Sequence, residues 1–330
     1  MANIRITIQH GDVIYEPPIE EGVQIEWERT GTPGKLTFTT VKVEGLEFQE
    51  GDRVCFYYDD KLKFVGYVFK KTRDKEHCIK VICYDQIRFL KNKYTYAFEK
   101  KTATQIIKSL CDDFGLKIGN LDNTKYVIPS IIEENKAAID IILDVLEETL
   151  LNTGNMFVLY DDCGNIQIKN AENMMSTSLI CEESAENFDY SSSIDDETYN
   201  NIVLYYVPNS NGTAASSGGS SSVSGIQIFT ASSKPKINEW GLLRYFEKVD
   251  TPSNGQAKAD ALLKLYNRKT RELKVTDAFG DISVRGGTLI PVRLYLGDVQ
   301  TNNYMLVEKV THKFDKDHHT MTLTLEGAWE

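Results

Sequence analysis

Three histidines near the C-terminus, His312, His318 and His319, are the one place in this 330-residue chain where imidazoles gather. Clustered imidazoles suggest zinc, which needs at least a third protein ligand and a shell of hydrogen bonds to orient them. His312 and His318 flank the tight Asp315-Lys316-Asp317 turn and can approach each other. No third ligand accompanies them, so water-facing histidines at a hairpin end are the expectation and no metal site is assigned. Paired carboxylates are the next candidates, because two acids across a sugar can hydrolyse a glycosidic bond. Asp161-Asp162 and Asp195-Asp196 are such pairs, but both sit at turn positions, where Asp is favoured by local hydrogen bonding.

The other chemistry is thinner. No HExxH, GxSxG, GxGxxG or GxxxxGK[ST] pattern occurs. Arg285-Gly286-Gly287 is too short for a phosphate loop and reads as a turn between strands. Lys91-Asn92-Lys93 and Lys100-Lys101 read as solvated ends of elements. The six cysteines, Cys55, Cys78, Cys83, Cys111, Cys163 and Cys181, include no CxxC. Cys78 and Cys83 lie an odd offset apart in one expected strand, so they face opposite ways and do not pair. Free, mostly buried thiols made in a reducing cytoplasm are expected. No catalytic residue, metal or cofactor is assigned.

The elements that must hold these residues follow from periodicity. Residues 1–96 alternate: Ile4, Ile6 and Ile8; Val23, Ile25 and Trp27; Leu36 and Phe38. Turns fall at Gly31-Thr32-Pro33-Gly34, Gly51-Asp52 and Asp59-Asp60-Lys61. Many short strands with regular turns make a small barrel or sandwich.

Residues 97–171 change character. A capping-box pattern, Thr102 to Gln105, opens a helix whose apolar face is Ile106, Ile107, Leu110 and Phe114, stopped by Gly115. A second helix, over 136–151, carries Ala138, Ile141, Ile142, Val145 and Leu146, and a hairpin follows around residues 161–165. This reads as an α+β insert of two helices plus a hairpin. Residues 172–330 return to strands, with a helix at 256–269 and a Ser/Gly stretch at 208–225 expected as a flexible loop.

The balance of 37 basic against 48 acidic residues, net −11, argues against a nucleic-acid wrapper, since phosphates are repelled. Met1 to Ile8 alternates at once, so no signal peptide is expected and the Asn211-Gly212-Thr213 sequon is set aside. No apolar run approaches a membrane span.

Several longer stretches are distinctive together. They are residues 64–69, 84–93 (Tyr84-Asp85-Gln86-Ile87-Arg88-Phe89-Leu90-Lys91-Asn92-Lys93), 104–107 leading to 113–116, 157–162 leading to 169–174, 194–200, 240–243, 296–298, 303–308 and 319–323. In this order they resemble the baseplate hub proteins of contractile phage tails, defective prophages and R-type tailocins of Gram-positive bacteria, part of the late control protein D superfamily. Residues 208–225 match no motif of that family.

The resemblance implies an α+β, β-rich fold with two tail-tube-like β-barrels, one in 1–96 and one in 172–330, around the insert at 97–171. It implies a homotrimeric ring joining a six-fold tail tube or tube-initiator protein above to a three-fold spike protein below, beside other baseplate (wedge) proteins. It implies no catalysis, no cofactor, no sequence-specific nucleic acid and no membrane insertion. It also implies assembly in the bacterial host cytoplasm, then residence in the extracellular virion or tailocin after lysis. The alternatives are a tail-associated peptidoglycan hydrolase, which the acids permit, and a peripheral receptor-binding adhesin, which the aromatic strands permit.

Overall fold

A computed structural model describes residues 3–195, 197–208, 225–249, 252, 254–295, 300–315 and 318–327. Most of the Ser/Gly stretch, Asp196, residues 296–298 and Lys316-Asp317 lie outside the described residues. The chain divides into two compact units, residues 1–191 with 272–330, and residues 192–271.

The first unit opens with β1 (Ile4–His10), β2 (Val13–Tyr15), β3 (Val23–Glu28), β4 (Lys35–Val41), β5 (Arg53–Tyr58), β6 (Lys61–Arg73) and β7 (Cys78–Tyr84). Their alternation is real: Ile6, Ile8, Val23, Ile25, Leu36 and Phe38 are buried while their sequence neighbours face outward. Cys78 and Cys83 fall on opposite faces of β7, and all six cysteines are free.

The insert holds β8 (Lys93–Thr102), α1 (Ala103–Asp113), β9 (Ile118–Leu121), β10 (Val127–Ala137), α2 (Ala138–Thr153), β11 (Phe157–Asp161) and β12 (Ile166–Asn170). The capping box forms: Gln105 N donates to Thr102 Oγ1 and Thr102 N donates to Gln105 Oε1. Helix α2 starts two residues later than expected because Lys136 is still paired with Tyr94 in a β8–β10 ribbon. It stops at Gly154, which takes the left-handed conformation that glycine adopts without penalty. The two helices, the ribbon and the β11–β12 hairpin enclose their own core around Ile106, Leu110, Ile141, Ile142, Ile166 and Ile168.

Next come β13 (Ile180–Cys181) and β14 (Asn187–Ser193). The second unit is β15 (Asn201–Tyr206), β16 (Gln227–Ser232), α3 (Lys234–Trp240), β17 (Arg244–Lys248) and α4 (Gly255–Tyr266). Here β15 is central, antiparallel to β16 and parallel to β17, and α4 packs Ala259 and Leu262 over one face of this sheet. Helix α4 ends three residues short of the expected 269, because the chain leaves the helix at Asn267 and enters the next strand at Thr270.

The chain closes with β18 (Thr270–Phe279), β19 (Leu289–Tyr295), β20 (Gln300–Phe314) and β21 (His319–Gly327). The main sheet runs β14-β18-β21-β20-β3-β4-β7-β6-β5-β1-β2, with β13 and β19 branching from β20. N-terminal and C-terminal strands thus meet at β3 against β20, where Val310 faces Trp27 and His312 faces Ile25. One apolar core underlies both sets, and Phe56 and Phe314 meet in it with ring centroids 5.0 Å apart. The α+β, β-rich class expected from the sequence is the class observed.

Candidate functional site

The sequence candidates scatter. Asp161 and Asp162 part company: Asp161 is buried, while Asp162 faces solvent and accepts from Gln167 Nε2 at 3.0 Å. Asp195 is exposed, and Asp196 lies outside the described residues. Lys91, Lys93 and Lys100 are exposed at element ends or edges, and Lys101 lies over the Phe98 ring. Arg285-Gly286-Gly287 does form a turn before β19.

The histidine pairing differs from the expected one. His318 is exposed, and the partner of His312 is His319. The cause is strand parity. Asp315 and His318 close the turn on each other, so His319 stands opposite Phe314, on the inward face that also carries His312. Val284 O can only accept, so His312 Nε2 carries the proton of their 2.8 Å bond. His312 Nδ1 then accepts from His319 Nε2 at 3.0 Å, and His319 Nδ1 accepts from the Tyr58 hydroxyl at 3.3 Å. This is the arrangement of two neutral rings. Burial lowers His312 to about 3 and His319 to about 4. With both His312 nitrogens engaged, neither is open to a cation. Among the described residues no group of three His, Cys, Asp or Glu is placed to hold a metal ion.

The second cluster was hidden in the sequence. Asp85 follows β7, caps the next turn by accepting from Ile87 N at 3.0 Å, and accepts from Gly34 N at 2.8 Å. Asp161, at the end of β11, accepts from Gly164 N at 2.6 Å, and its Oδ2 is buried without a hydrogen bond of ordinary geometry. The Arg285 guanidinium lies between the rings of Trp27, 4.9 Å away, and Tyr160, 4.5 Å away, and donates to Asp161 O at 3.0 Å. Trp27 in turn meets His312 edge-on at 5.4 Å. A continuous line of aromatic and polar groups therefore runs from the insert hairpin to the core. The motif stretch 84–93 contained Asp85, but only topology shows its partners.

Charge decides what this cluster can do. Burial, reinforced by the charge of Asp161, holds Asp85 well above the carboxylate range, and burial pushes Asp161 up to about 6. The space between these groups is about 10 Å³, room for roughly one water and no substrate. The cluster fastens the β11–β12 hairpin to strands of the main sheet. An acid with a raised folded value stabilises the fold below its unfolded value and loses that contribution as pH rises through about 6. Asp161→Asn is therefore expected to raise stability at pH 8 by about 1–3 kcal/mol, shrinking toward zero below pH 4. Thermal melts at the two pH values check this, and an equal gain at both would show that charge is not the cause.

Residues 23–326 match the family model described as YQBQ-like. The chain is 29% identical over 317 residues to the phage-like element PBSX protein XkdQ of Bacillus subtilis (strain 168), covering 92% of this chain and 91% of that protein. In fold it is similar to the 43 kDa tail protein of prophage MuSo2 from Shewanella oneidensis, with a TM-score of 0.70 over 97% of this chain and 98% of that one at 15% identity. It is also similar to the E. coli c3393 protein, with a TM-score of 0.56 over 98% of this chain and 77% of that one at 10% identity. That protein is described as a component of the type VI secretion system with structural similarity to the T4 bacteriophage tail proteins gp27 and gp5.

Proposed function

The chain belongs to the YQBQ-like family, and from that membership we propose that it is the central baseplate hub of a contractile phage tail or tailocin. In this reading three copies form a ring that joins the six-fold tail tube or its initiator protein to a three-fold spike, and the insert meets neighbouring baseplate proteins. The observation that carries it is the whole-length agreement in fold with a prophage tail protein. Supporting it, the β3–β20 pairing joins N-terminal and C-terminal strands edge to edge, so both ends of the chain build one sheet. The net charge of −11 suits a passage that DNA crosses without adhering.

The role is mechanical. The hub would template assembly, couple tube to spike and move with them when the sheath contracts. The acids give the hydrolase alternative no support, since Asp161 is enclosed beneath Arg285 and Asp162 faces solvent.

Copy number tests the reading. Quantitative mass spectrometry of purified particles, with labelled peptides against tube and sheath proteins, is expected to return about three copies per particle. Six or more copies would indicate a wedge or fibre position, and absence from particles would end the baseplate assignment.

A further inference from the structure

Strand β15 reads Asn-Ile-Val-Leu-Tyr-Tyr, apolar at both parities, which is the pattern of a strand buried on two faces. Among the described residues only one face is covered. Ile202 and Leu204 lie buried on the α4 side, whereas the opposite face presents Val203 and Tyr205, Ile228 from β16 and Phe246 from β17. Ile228 is 63% exposed and Phe246 64%, and Tyr205 stacks on Phe246 with centroids 4.9 Å apart. Along β17 this face reads Arg244, Phe246, Lys248, a base on either side of an exposed aromatic, and the register places no carboxylate on it. In a chain with more acids than bases that sign is a selection for what must dock.

The first unit carries the complementary pattern. Strand β2 ends the main sheet, with no neighbour on its outer side among the described residues. On one face of the β2 segment stand Asp12, Ile14 and Glu16, all exposed, with Ile14 67% exposed. The spacing is the same two-residue step, so charges about 13 Å apart bracket one apolar side chain on each surface. Among the described residues Glu16 makes a long exposed pair with Arg5 at 3.8 Å.

We infer that the open face of the β15–β17 sheet takes the β2 hairpin of a second copy of this chain, Phe246 against Ile14, with Arg244 and Lys248 facing Asp12 and Glu16 in either order. Like charges forbid the β17 face from pairing with itself, so the contact joins two unlike surfaces; made in one direction only, it closes rings or propagates filaments. It supplies a contact between copies in the proposed ring and to that extent rests on that reading.

The test uses the full chain in sedimentation-velocity experiments at a series of concentrations and two salt concentrations. Wild type is expected to self-associate, more weakly in high salt. Phe246→Ser and Ile14→Ser are each expected to weaken association about tenfold or more. An equimolar mixture of the two variants is expected to form a two-chain species, since each retains one intact surface. Lys248→Glu is expected to weaken association and Asp12→Lys or Glu16→Lys added to it to restore it. Both serine variants lie on exposed surfaces, and circular dichroism confirms that they fold. A monomeric wild type, undiminished association in either serine variant, or a mixture that stays monomeric would overturn the contact. Three copies per particle with the serine variants assembling normally would leave the hub standing and remove this contact alone.

Discussion

Gly286→Ala is expected to lose about 3 kcal/mol of stability, enough to remove a large part of a typical domain's margin. Gly286 is buried in the turn before β19, and a Cβ there would sit inside van der Waals contact with the backbone of Glu28 and Arg29, including Glu28 O at 2.7 Å. Backbone cannot swing aside as a side chain can. This is where β3 ends and passes to β20: Arg29 N donates to Glu308 O at 2.8 Å, and Gly287 N donates to Val307 O at 2.7 Å. Moving the turn would also withdraw Arg285 from between Trp27 and Tyr160. Gly11→Ala is the control. Its surroundings are open, and only the left-handed backbone at φ +58° is penalised, by about 1 kcal/mol. Chemical denaturation of both variants checks the ordering, and a Gly286→Ala loss no larger than that of Gly11→Ala would refute the close-packing account.

What could be read from the sequence was local. The Thr102–Gln105 box needs only four residues in a row, and the Ile4, Ile6, Ile8 alternation only eight, so both were legible. The stripe of α2 was equally clear, but its start was not, because Lys136 obeys a ribbon partner distant in sequence. That ribbon is not legible in the sequence for the same reason. Strand β10 carries Pro129 and a bulge between Glu133 and Lys136, so its alternation slips partway along.

The candidate site was legible least of all. Asp85, Asp161 and Arg285 come from three different segments, and nothing near any of them in sequence announces the others. His312 shows how small the missing information was. The turn and the histidines are both plain in the sequence, yet the parity of one residue across that turn exchanges His318 for His319, turning a solvent-facing pair into an inward-facing one. The strongest sequence evidence for function was of another kind. It lay in the order of motif stretches along the chain, and the β3–β20 junction shows why distant stretches belong together: the two ends of the chain build one sheet.

That inward-facing pair sets the second large effect. Histidine normally titrates near 6.5, and burial lowers His312 to about 3. A group depressed in the folded state binds fewer protons there than in the unfolded chain, so its contribution is complete above pH 6.5 and is lost as pH falls toward 3. Between pH 7 and pH 4 His312 alone costs about 3 kcal/mol, and His319, which is more open, adds less. Asp161 and Asp85 slope the other way over part of this range, so the raw acid curve of the wild type mixes both. The clean quantity is the difference between wild type and His312→Gln. At pH 7 the variant is expected to be less stable by about 2 kcal/mol, because glutamine cannot reproduce the packing of the ring against Trp27 and Phe314. By pH 4 that deficit is expected to vanish or reverse, since glutamine has no proton to refuse. Urea unfolding of both proteins at the two pH values decides it: a deficit unchanged by acid would mean that His312 is not held neutral by the fold.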